Sequence, residues 1–172
     1  MNDFSNVVKY YLAEGKKVES NFIKDLMTQL GGEVRFSSKN DDIYKHIDVY
    51  WKPIDKNKWF SFDVKGLRKN NRYDTNFSLE TTWLEIKNVY GEPGSLKGQA
   101  HYIVFEHNKT WLIVNREKLL NELRKNVKDK TIYNVNPKTN FKMYQRKNRK
   151  DLIVRVPMSF ILENTNKIIE KT

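Results

Sequence analysis

His46-Ile47-Asp48-Val49-Tyr50-Trp51 and Trp59-Phe60-Ser61-Phe62-Asp63-Val64-Lys65-Gly66 decide the reading of this chain. Both runs are rich in aromatic and β-branched residues, as short strands are. The polar stretch between them, residues 52–58 with Pro53 inside, has the character of a hairpin loop. Side chains alternate faces along a strand. Phe60, Phe62 and Val64 therefore share one face, and Ser61, Asp63 and Lys65 share the other. In the first run Ile47, Val49 and Trp51 go together, and Asp48 projects opposite. If the apolar faces join one core, Asp48, Asp63 and Lys65 converge on the far side. Two carboxylates and an ammonium held together by a sheet are costly unless they do chemistry, and they suit a divalent-metal site with a cation beside it.

Composition narrows the chemistry. The chain has 172 residues, enough for one domain with a core. Its 32 Lys+Arg against 21 Asp+Glu give a net charge of +11, which favours a polyanionic partner, nucleic acid first and an anionic membrane surface second. With no cysteine and only three His, disulfides, thiolate sites and the usual zinc sites are excluded or disfavoured. Metal chemistry has to use oxygen ligands, which suits Mg²⁺ or, as a substitute, Mn²⁺. The N-terminus is polar and no apolar run is long enough to span a bilayer, so a cytoplasmic protein without a membrane partner is expected.

Upstream, residues 6–12 and 18–30 read as helix, with Gly15 as a break. Val18, Phe22, Ile23, Leu26, Met27 and Leu30 form an apolar stripe ended by Gly31-Gly32. Glu19 sits at its edge, where it can look past the stripe onto the sheet or be a solvated carboxylate. A short strand over 33–36 and a polar loop over 37–42 precede the two runs. The basic turn 66–74 leaves the sheet just beyond Lys65, where Arg68, Lys69 and Arg72 are either phosphate-contact candidates or part of a solvated loop. Lys97 joins them.

Downstream, residues 76–88 read as a third strand or hairpin. It carries a competing acid-x-Lys pair, Glu85-Ile86-Lys87. Spacing does not settle which pair faces Asp48. Asp63/Lys65 is favoured because it follows directly the strand bearing Asp48. A short helical or turn segment over 95–101 leads into a hairpin over 102–114, also a candidate dimer edge. An amphipathic helix over 116–126 turns Leu119, Leu120 and Leu123 inward. A strand pair around residues 134–137 follows, then the basic stretch 142–150. There Arg146, Lys147, Arg149 and Lys150 interleave with Tyr144 and Gln145 as a second nucleic-acid contact or a solvated hairpin tip. A final strand over 152–156 and a helix over 158–170, opened by Pro157, complete the chain. Phe160, Ile161, Ile168 and Ile169 are its core candidates. No internal repeat or linker is visible, and one domain over 1–172 is expected.

The order of elements, with Glu19 on an early helix, then Asp48, then Asp63-Val64-Lys65, resembles the PD-(D/E)XK nuclease superfamily. Its archaeal Holliday-junction resolvase branch is the nearest in character. The likeness covers roughly residues 1–115. It implies an α/β protein with a restriction-endonuclease-like mixed central sheet flanked by helices. Residues 116–172 would then be a C-terminal elaboration of strands and a helix. It implies an Mg²⁺-dependent DNA endonuclease, structure-specific like the resolvases or restriction-like. Gln99 resembles an accessory polar residue of some branches. In that reading Asp48 and Asp63, with the Val64 carbonyl, ligate the metal. Glu19 holds a second metal or a water, and Lys65 positions or helps deprotonate the attacking water. Two departures stand out: Ile47 replaces the Pro of the motif's name, and the second acid is Asp, whose shorter side chain shifts the metal geometry. A resolvase would be a symmetric homodimer. The alternatives are a non-catalytic nucleic-acid-binding protein on the same fold and an interaction protein with a basic surface.

Overall fold

The computed structural model describes residues 3–70 and 73–172. In chain order the elements are α1 (Asp3–Leu30), β1 (Glu33–Phe36), α2 (Lys39–Lys45), β2 (Val49–Lys52), β3 (Phe60–Lys65), β4 (Thr81–Lys87), a 3-10 turn (Ser95–Lys97), β5 (Tyr102–His107), β6 (Thr110–Asn115), α3 (Arg116–Asn126), β7 (Ile132–Tyr133), β8 (Met143–Tyr144), β9 (Leu152–Pro157), α4 (Met158–Glu163) and β10 (Thr165–Glu170). The described residues make a mixed α/β protein with four helices and two mixed sheets. One sheet has six strands in the order β1-β2-β3-β5-β6-β10; the other has four, β4-β9-β8-β7.

β1, β2 and β3 form an antiparallel meander. β3 then pairs in parallel with β5, with Asp63 opposite Ile103 and Lys65 opposite Phe105. A parallel pair needs a long crossover, and residues 66–101 supply it, carrying β4 and the 3-10 turn. Because cross-strand partners share a face, these pairs fix two cores. Phe62, Val64 and Val49 turn toward α1 and pack with Phe22, Leu26, Val104, Trp111, Ile113 and Ile169. Ile103, Phe105, Leu112 and Val114 turn the other way, onto Leu119 and Leu123 of α3, Leu84, Val154 and Val156 of the second sheet, and Phe160 and Ile161 of α4. Asp63 and Lys65 belong to this second face.

Several expectations need correction. The first helix is continuous through Gly15. It ends where expected, at Gly31 and Gly32, both with positive φ, and the Gly31 N–H donates to Met27 O at 2.9 Å. The strand at 81–87 does not extend the main sheet: it pairs with β9 in the second. The helix over 158–170 stops at Glu163. There Asn164 donates from its side chain to Phe160 O at 2.9 Å, and the chain turns into β10. Phe160, Ile161 and Ile169 are buried, whereas Ile168 faces outward, 52% exposed, because strand alternation replaces helical spacing. The hairpin over 102–114 is no sheet edge, since β10 covers β6. No helix among the described residues is long and apolar enough to cross a membrane.

Candidate metal and phosphate site

Asp48 stands one residue before β2 and is fixed on three sides. Its N–H donates to Phe62 O at 2.9 Å, its carbonyl accepts from Ser37 N–H at 3.0 Å, and its Oδ2 accepts from Val64 N–H at 2.6 Å. Main chain and side chain of Asp48 thus bracket Asp63. β2 separates from β3 at this point, and the carboxylate takes the Val64 N–H that a continuing strand would have taken. His46 prepares the approach. It adopts a left-handed conformation (φ 53°, ψ 53°) as the C-cap of α2, and its Nε2 lies 2.9 Å from Pro93 O.

Asp63 is 1% exposed. Its Oδ1 meets Lys65 Nζ at 2.6 Å, two residues along on the same face. Its Oδ2 is buried and has no hydrogen-bond partner among the described residues. A buried carboxylate oxygen left bare is costly. Burial, the Asp63 charge and that of Glu19 push the Asp48 carboxyl up to about 8, against the opposing effects of Lys65 and the Val64 N–H. Lys65 is pulled both ways. Burial disfavours its charge, but Asp63 and Asp48 outweigh burial and raise its pKa, so it is an ammonium rather than a free base.

Glu19 reaches the same field from α1. Burial, then Asp42 and Asp63, raise its carboxyl, while Lys16 and Lys65 oppose. α1 packs tightly over Gly66: a Cβ there would lie 3.2 Å from Val18 Cγ2, so the Val18 side chain would have to give by a few tenths of an ångström. Asp42 was not singled out in the sequence, because its polar helix carries no pattern pointing at the sheet. Ser61, which strand alternation puts on this face, bonds there with His101, which the sequence did not point to. His101 Nδ1 accepts from the Ser61 N–H at 3.0 Å and lies 2.7 Å from Ser61 Oγ.

Of the remaining candidates, Arg68 is near enough for its charge to oppose that of Lys65. Glu85 and Lys87 lie on β4 in the second sheet, away from the strand beside Asp48. Gln99 is exposed, and its N–H donates to Lys45 O at 2.8 Å. Arg68, Lys69 and Lys97 are exposed. Lys69 Nζ sits 5.8 Å from the Phe77 ring centroid. Arg72 lies outside the described residues. Arg146 is an anchor: its N–H and its guanidinium both donate to the fully buried Asp151 carboxylate. Lys147, Arg149 and Lys150 are exposed at that tip.

Among the described residues no three His, Asp or Glu side chains form a preformed metal-binding group. The donor set is two carboxylates, one of them with a bare buried oxygen. That fits Mg²⁺, which commonly keeps several waters and binds through one or two carboxylates with substrate phosphate completing the shell. No protein-family model, curated protein or solved structure matches the chain.

Proposed function

We propose that the protein is an Mg²⁺-dependent DNA endonuclease with a restriction-endonuclease-like arrangement. The observation that carries the reading is the bare, buried Oδ2 of Asp63, bracketed by Asp48 and placed beside the Lys65 ammonium. The order of Glu19 on α1, Asp48 before β2 and Asp63/Lys65 on β3 supports it, as does the net charge of +11. One departure is that β4 leaves the main sheet.

Asp48 and Asp63 would hold the ion, with the Val64 carbonyl; Mn²⁺ would substitute. The ion would supply an acidified water and a polarised phosphate. The chain's own residues do the rest. Asp48, held by three hydrogen bonds, fixes the ligand geometry. The Lys65 ammonium would donate to the attacking water or a phosphate oxygen and offset the negative charge that develops on the phosphoryl oxygens. Glu19 orients a water from the α1 side.

The test is incubation of plasmid, linear duplex, single strands and a four-way junction with Mg²⁺ or EDTA. Cleavage by the wild type in Mg²⁺ alone is expected, with loss to background in Asp63→Asn and retained DNA binding. An Asp63→Asn variant that cuts at the wild-type rate would sink the assignment. A second reading has its own observation: Lys65 already neutralises Asp63 without metal. A non-catalytic DNA-binding protein would bind with a steep salt dependence and cut nothing.

A further inference from the structure

The outer face of the meander carries a feature that the acid site does not use. Arg35 on β1 pairs across to Tyr50 on β2, and Tyr50 pairs to Ser61 on β3, so all three share one face. Trp59 precedes Ser61 by two and joins them. The Arg35 guanidinium carbon lies 4.7 Å from the centroids of both the Tyr50 and Trp59 rings. It is exposed. Among the described residues it has no ion-pair or hydrogen-bond partner. Asp41, the acid whose carboxyl feels its charge, is engaged by Lys45 at 2.6 Å and by the Tyr50 hydroxyl at 2.8 Å. A planar cation held over two aromatic faces loses little freedom when it bonds, and its five donors match a phosphate. Lys52 Nζ, paired with Glu33 at 2.6 Å, lies 5.6 Å from the centroid of the same Trp59 ring.

Asp63 occupies the same face. Two strand intervals across and two residues along place its Cα roughly 12 Å from that of Arg35. That is about three to four base-pair steps at 3.4 Å of rise. We propose that Arg35, clamped by Tyr50 and Trp59, binds a backbone phosphate of the DNA strand that the acid site engages, a few nucleotides from the scissile bond. The inference rests on the nuclease reading for its substrate, but it is measurable without cleavage. The Tyr50–Asp41 hydrogen bond keeps the lower ring in place, so the clamp is coupled to the α2 segment that leads to Asp48.

The experiment is equilibrium binding of a short fluorescein-labelled DNA duplex to the full chain in EDTA, over a series of KCl concentrations. Arg35→Gln should weaken binding roughly tenfold and make the salt slope shallower by about 0.9. Arg35→Lys should recover the slope but not the full affinity, since an ammonium lacks the fork. Trp59→Leu, which keeps the charge and removes a ring, should weaken binding without changing the slope. Thermal unfolding of each variant checks that the sheet is intact. Unchanged affinity and slope in a folded Arg35→Gln protein overturn the clamp while leaving the nuclease reading untouched. Tight, Arg35-dependent binding with no cleavage by the wild type in Mg²⁺ supports the clamp and removes the nuclease reading. Absence of DNA binding by the wild type removes both.

Discussion

At the scale of single residues, Asp48 ties structure to pH. Its carboxyl keeps a proton in the folded chain up to about 8, whereas the ordinary value is 3.8. Between those limits the unfolded chain has lost the proton and the folded chain retains it, so stability from this group is complete below about pH 4 and declines as pH rises toward 8. Glu19, raised for the same reason of burial, acts in the same sense. Asp48→Asn is expected to flatten the dependence of Tm on pH and to raise Tm at pH 8 by about 2–4 °C per kcal/mol of relieved repulsion. A steeper profile in the variant would contradict this. If Asp48 ligates Mg²⁺ as proposed, ligation must release its proton, and Mg²⁺ should then raise Tm more at pH 8 than at pH 6. Lys65→Ala and Lys87→Ala, assayed together, separate the two acid-x-Lys pairs. The first should lower cleavage about 10²–10³-fold, and the second should leave it nearly unchanged, since Lys87 is exposed on the other sheet.

At the scale of elements, α1 and β6 are joined by a buried polar link. Asp25, 2% exposed, accepts from Trp111 Nε1 at 2.8 Å and from the Thr172 hydroxyl at 2.5 Å. Burial alone would raise its carboxyl, but these hydrogen bonds outweigh burial and lower it. Its contribution is therefore present above the ordinary carboxylate range and lost on acidification. Asp25→Ala strands the indole N–H and should cost about 1–3 kcal/mol, measured by urea unfolding at neutral pH; an unchanged midpoint would count against the link. The two organising strands were legible because aromatic alternation dictated a buried face, and that face forced Asp63 and Lys65 together. β10 was not legible. Ile161, Ile168 and Ile169 sit at spacings a helix tolerates, and only the side chain of Asn164, bonded to Phe160 O, reveals the stop. The Arg35 clamp escaped for another reason: it needs the register of three strands, which no local pattern encodes.

At the scale of the whole molecule, the two faces of the main sheet are covered by different partners. α1 covers one; the second sheet, α3 and α4 cover the other. Asp48 sits where β2 parts from β3 and is bonded to the Val64 N–H beside Asp63, which belongs to the second of these faces. The net charge of +11 predicts DNA affinity that falls steeply with salt, checked by the slope of log K against log[KCl]. A chain cut after Glu163 loses β10, bares β6 and uncovers Trp111, so it should aggregate or elute as a broad, expanded species in size-exclusion chromatography. A sharp monomer peak with native circular dichroism would refute this. The pairing of β6 with β10 also has a consequence for biosynthesis. Asn115 N–H waits for Asn166 Oδ1, 51 residues later in translation, and Asp25 waits 147 for Thr172. A nascent chain that has just extruded β6 from the ribosome therefore carries a half-made sheet with an uncovered strand edge until β10 emerges.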